Sequence, residues 1–132
     1  MKVKTSDLAG AALDWAVAKV QGWVNYPEDS IEHGSVWHTD PMRAPFGPRI
    51  TVSEYRPSTC WSQGGPLIDC YHLSIRPHTT TNGVVTSWAA YTDWPVDRTA
   101  GQCGPTPLIA ACRAIVSGGY GGYMEIPDDL GV

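Results

Sequence analysis

The residues best suited to chemistry in this chain sit in two short blocks. Residues 58–70 read STCWSQGGPLIDC. Trp61 offers a flat ring for stacking on a base or another planar group. Ser62 brings a hydroxyl, and Gln63 brings both a donor and an acceptor. Gly64 and Gly65 can present bare backbone N–H groups, or supply positive φ ahead of Pro66. Strand alternation downstream puts His72 and Arg76 on the polar face leading away from this block, with Trp88 on the hairpin partner. An aromatic platform, an amide and a guanidinium together suit a small ligand. The same letters also read as a buried tryptophan anchor followed by a Gly-Gly turn. The second block, GQCGPTP at 101–107, leads into a helix. Gly104 permits close backbone approach, and Thr106 stands at the cap of a helix start whose positive end suits phosphate or carboxylate. The alternative is a plain capped helix. A Walker lysine is missing, and Arg113, two turns further on, suits a surface or an interface.

The candidate ligand-binding set is thus Trp61, Ser62, Gln63, Gly64, Gly65, Arg76, Trp88, Gly104 and Thr106. No catalytic set emerges. Ser62, Cys60, Cys103, His72 and His78 can be combined on paper, but no spacing forces any two together, and GxSxG and HExxH are absent. The four cysteines, Cys60, Cys70, Cys103 and Cys112, form no CxxC. With His33, His38, His72 and His78 they give no zinc spacing, so no metal and no cofactor is expected. In a reducing cytoplasm the default is four free thiols.

These blocks need elements to position them. TSDLAGAALDWAVAKVQG predicts a helix over about 6–21: Thr5 or Ser6 caps it, Leu8, Ala12, Trp15 and Ala16 form its apolar face, and Lys19 and Gly22 mark its end. TPLIAACRAIVSGG predicts a second helix over about 107–117, with Pro107 at the first position. Between them RITVSEYR, IDCYHLSIR and VVTSWAAYT alternate as strands, and Asn82-Gly83 marks a hairpin. GYMEIP suggests a short edge strand. Residues 25–49, with four prolines, read as a long irregular excursion. The predicted architecture is α+β: an antiparallel sheet of about three to five strands packed by two helices.

With 132 residues, one domain spanning 1–132 is expected. Six tryptophans and six tyrosines against one phenylalanine suit half-buried sites and ligand or partner surfaces, and equally the filling of a core short of leucine. The net charge of −4 and the scarcity of Lys and Arg argue against non-specific nucleic-acid binding. Two or three arginines suffice for a small anion. No apolar run reaches signal-peptide or membrane-span length, which predicts a cytoplasmic protein without a membrane partner.

Three blocks in order, MKVKTSDLAGAALDWAVAK, PSTCWSQGGPLI and GPTPLIAACRA followed by MEIPDDL, resemble the phage NinX family, small proteins of tailed bacteriophages and prophages. In the family pattern an acidic residue precedes the central tryptophan, where this chain has Cys60. The stretches 25–49 and 77–100 are individual to this chain. The resemblance implies a phage accessory protein acting in the host cytoplasm, and supplies no catalytic residue. Joined to the Trp-rich and Gly-rich turns, it suggests a non-catalytic, homo-oligomeric binder that sequesters a nucleotide-like host defence signal. Two other functions stay open: an adaptor or inhibitor of a host or phage DNA-processing complex, and an enzyme of nucleotide metabolism.

Overall fold

The computed structural model describes residues 1–28, 30–32, 34–38, 49–92 and 101–130. The chain starts with β1 (Lys2–Lys4), whose alternation buries Val3 between two exposed lysines. A 3-10 turn over Thr5–Asp7 leads to α1 (Gly10–Val20). Then come β2 (Val24–Tyr26), β3 (Val36–His38), β4 (Arg49–Thr51) and α2 (Trp61–Cys70). β5 (Leu73–Thr79), β6 (Val85–Thr92) and β7 (Gln102–Gly104) precede α3 (Pro107–Tyr120) and β8 (Tyr123–Glu125).

The fold is α+β, and every strand pair described is antiparallel. In place of the single sheet expected, the described strands form three small sheets: β1-β8, β2-β3-β4 and β5-β6-β7. β8 is the short C-terminal strand expected from GYMEIP. Its partner β1 was not foreseen, because three residues flanked by lysines show too little alternation to read. The Asn82-Gly83 hairpin joins β5 to β6, with Gly83 at φ +80° and its amide donating to Thr80 O at 2.9 Å. Part of the 25–49 excursion is ordered into β2 and β3; residues 39–48 lie outside the described set.

α3 is the central element. Its Cys112 and Val116 pack with α1 residues Leu13, Trp15 and Val17, and with Trp37 and Tyr55, in the larger core. On its other flank, Ala110, Ala111 and Ala114 meet Ala90 of β6, with Ile75 and Trp88 packed beside them. Small alanines on that side let the helix settle closely on the sheet. Thr106 caps α3 as expected, its Oγ1 accepting from the Ile109 amide at 3.2 Å. The helix runs past Gly118-Gly119 to Tyr120 and stops at Gly121, whose φ is +80°. α1 starts later than expected. Its cap position is Ala9, without a side-chain cap, while Thr5 is buried and donates through Oγ1 to Gly121 O at 2.7 Å. Thr5 thus ties the entry of α1 to the end of α3.

Candidate functional site

The block expected as a loop before a strand is a helix. Trp61–Cys70 forms α2 with Pro66 inside it, and the following strand begins only at Leu73, after His72 turns the chain at φ +52°. Cys60 is the N-cap of α2, with Sγ 3.0 Å from Ser62 Oγ. The Ser62 hydroxyl first, then the amides opening the helix and the Arg56 charge, hold the Cys60 thiol below its ordinary range.

Gln63 is engaged within the chain. Its Oε1 accepts from the Arg56 amide at 2.6 Å, and its Nε2 donates to Glu54 O at 2.8 Å, clamping the turn that enters α2. Gly64 is buried at a helix crossing. A Cβ there would lie 2.7 Å from Leu108 Cδ2 and against Pro57 O, so the glycine sets how closely α2 approaches α3. Gly65 meets only the Trp61 ring, at ordinary contact distance. Gly104 is likewise a packing position, its hypothetical Cβ 2.8 Å from the Ala110 amide.

The structure does bring Trp61 and Thr106 together. Trp61 is 57% exposed and shares a groove of about 200 Å³ with Ser58, Thr59, Thr106, Pro107 and Ile109. As an anion site this groove is poor. Pro107 has no N–H, Ile109 donates to Thr106 Oγ1 and Ala110 to Thr106 O. Leu108 is the one amide of the first turn left over. Arg76 and Trp88 are not joined to it or to each other. Arg76 stands opposite Ala89 and the adjacent Pro77 opposite Trp88, so the two side chains leave opposite faces of the sheet. Trp88 packs against the alanine cluster under α3. Arg113 braces backbone, donating to Leu8 O and Cys103 O, each at 2.8 Å.

A larger hollow shares Thr59 with this groove. This cleft, about 420 Å³, is lined by Asp14 and Trp15 of α1, Trp37 of β3, and Tyr55, Arg56 and Thr59. Asp14 is only 6% exposed. Its Oδ1 accepts from the Ser58 amide at 2.9 Å, and among the described residues no other group donates to the carboxyl with good geometry. Burial pushes its pKa up, against the opposing pull of Ser58 and of the Arg56 charge. The Ser58 hydroxyl is 1% exposed as a residue, lies near the same carboxyl and has no well-formed hydrogen bond. Tyr55, whose phenol accepts from Gln21 Nε2, is raised above its ordinary range by burial. Arg56 is exposed at the rim.

Sequence reasoning missed Asp14. The signal was there: within Ala12–Ala18 it is the one residue that is not apolar, and that whole run is buried. A carboxylate on the buried side of a helix needs a reason. The cleft itself joins α1, β3 and the turn after β4, a convergence no local pattern announces.

All four cysteines are free thiols. Among the described residues no three His, Cys, Asp or Glu side chains gather closely enough to hold a metal ion. No described helix is long and apolar enough to cross a membrane. The chain has no match among curated proteins. The profile of the family described as "Bacteriophage P22, NinX" matches residues 4–118, which include α1, the Arg56–Trp61 segment and most of α3. That match spans both walls of the cleft and most of the 132 residues, and the chain belongs to the bacteriophage P22 NinX family.

Proposed function

We propose that this phage protein binds a small, nucleotide-like molecule, and that the Asp14 cleft, more than the Trp61 block, is its pocket. One observation carries the reading: a carboxyl 6% exposed at the base of an aromatic-walled cleft, held by a single backbone amide. Burial disfavours the charged form of this carboxyl, and a ligand with N–H donors would supply it with further partners. The cleft's volume of about 420 Å³ falls within the roughly 300–1,000 Å³ of small-ligand sites. In an infected cell, such a binder sequesters a host defence signal of that chemistry in the host cytoplasm. Family membership supports this phage setting and goes no further.

A thermal-melting panel of mono-, cyclic and dinucleotides tests the reading. A ligand at 100 times its Kd stabilises the folded state by about 2.7 kcal/mol, a clear upward shift in Tm. The expected result is such a shift with at least one nucleotide, lost in Asp14→Asn and kept in Trp61→Ala. Flat melting curves across the whole panel overturn it. The exposed ring of Trp61 favours a second reading, a protein-docking surface on α2; a reproducible partner lost in Trp61→Ala is its mark.

A further inference from the structure

The geometry points to a guanine subsite in the Asp14 cleft, with the ring's donor edge on the Asp14 carboxylate and the phosphate toward Arg56; this rests on the binding reading above. A carboxylate is a planar pair of acceptors. Guanine carries two adjacent donors in one plane, N1–H and the N2 amine, and so meets both oxygens at once. Adenine sets a ring acceptor beside its single amine, which would turn a lone pair toward the carboxylate. Uracil and thymine flank one N–H with two carbonyl oxygens.

The surroundings favour this ring. The Ser58 amide anchors one oxygen of the carboxyl, Oδ1, at 2.9 Å. The unpartnered Ser58 hydroxyl stands near that carboxyl, able to donate to it once a ligand brings it to full charge. Trp15, Trp37 and Tyr55, each deeply buried, back the cleft beside the aliphatic Ile31, Val52 and Leu130, so its lining is largely apolar. Trp15 and Trp37 are themselves locked together, their ring centroids 4.6 Å apart at 60°, so the wall is preformed. Arg56, at the exposed rim, supplies the guanidinium that a phosphate needs. A simple ammonium would also pair with Asp14, but Arg56 would repel it and the flat walls would leave it loose.

The test is isothermal titration of the full chain at pH 7.5 with GMP, IMP, AMP and putrescine. GMP should bind tightest. IMP, which lacks only the N2 amine, should bind about tenfold more weakly or worse, and AMP weaker still. Asp14→Asn should abolish the preference for GMP over AMP, its native fold checked by circular dichroism. Arg56→Ala should weaken GMP while leaving guanosine unchanged. Equal affinity for AMP and GMP, GMP binding unaltered by Asp14→Asn, or a preference for putrescine overturns the guanine assignment alone. Failure of every nucleotide to bind overturns the binding reading with it.

Discussion

Asp14 and Cys60 show how burial and helix position divide the labour among similar groups. The folded-state pKa of Asp14 lies above the ordinary carboxyl value because burial disfavours its charge. The folded protein then holds a proton that the unfolded chain has already released. Stability from this group is full below the unfolded pKa and is lost as pH rises through the folded one. Among the described residues, the charged and titratable groups that interact with Asp14 are Arg56, Tyr55 and Cys112. In urea titrations Asp14→Asn should therefore equal or exceed the parent in stability at neutral pH, with the difference closing in acid. Clear destabilisation at neutral pH would mean that the ionised carboxylate supports the fold. Cysteine reactivity follows the same physics. Cys60 is held below its ordinary range at the start of α2, whereas burial pushes Cys112 up to about 12. A thiol-specific reagent on the native protein should label Cys60 early and leave Cys112 for the unfolded chain. At this scale the sequence was a partial guide. It marked Thr106 as a cap and the block around Trp61 as special, but Asp14 looked like one more helix residue.

Among the elements, α1 and α3 were legible because an apolar stripe and a stop signal agree over many residues. α2 was not, because Gly64, Gly65 and Pro66 carry the local signature of a turn. Tertiary contact overrides that preference. Gln63 clamps the incoming turn from both sides, and Gly64 admits Pro57 O and Leu108 at a distance no Cβ would allow. Pro66, inside the helix, lacks the amide for one backbone bond and crowds the carbonyl one turn back, a cost of about 3 kcal/mol that these contacts must offset. Gly64→Ala should therefore destabilise the fold by about 1–3 kcal/mol, even though alanine is the better helix former, while Gly65→Ala, with open contact only to Trp61, should be neutral or stabilising. Chemical denaturation of the two variants checks this; the same response at both positions would place the α2–α3 approach elsewhere. The strands shared the difficulty of α2. β4 stops at Thr51 and β5 starts at Leu73, so strand structure covers only part of each alternating run.

Across the whole molecule, the α+β class followed from two capped helices flanking alternating segments, and the family from three ordered blocks. The pocket did not follow. It forms where α1, β3 and the Tyr55–Thr59 segment converge, positions far apart in sequence, whereas five of the nine candidate ligand residues open α2 and the other four divide among β5, β6, β7 and the cap of α3. Trp61, Thr106 and the neighbouring Ser58 share a groove, and Ser58 links that groove to the Asp14 carboxyl. The most direct measurement is an NMR titration of isotopically labelled protein with GMP, following the tryptophan indole and the Asp14 carboxyl resonances. Binding in the cleft should shift Trp15, Trp37 and the Asp14 carboxyl while Trp88 stays still. Shifts confined to Trp61 and the first amides of α3, with the cleft unmoved, would contradict the account.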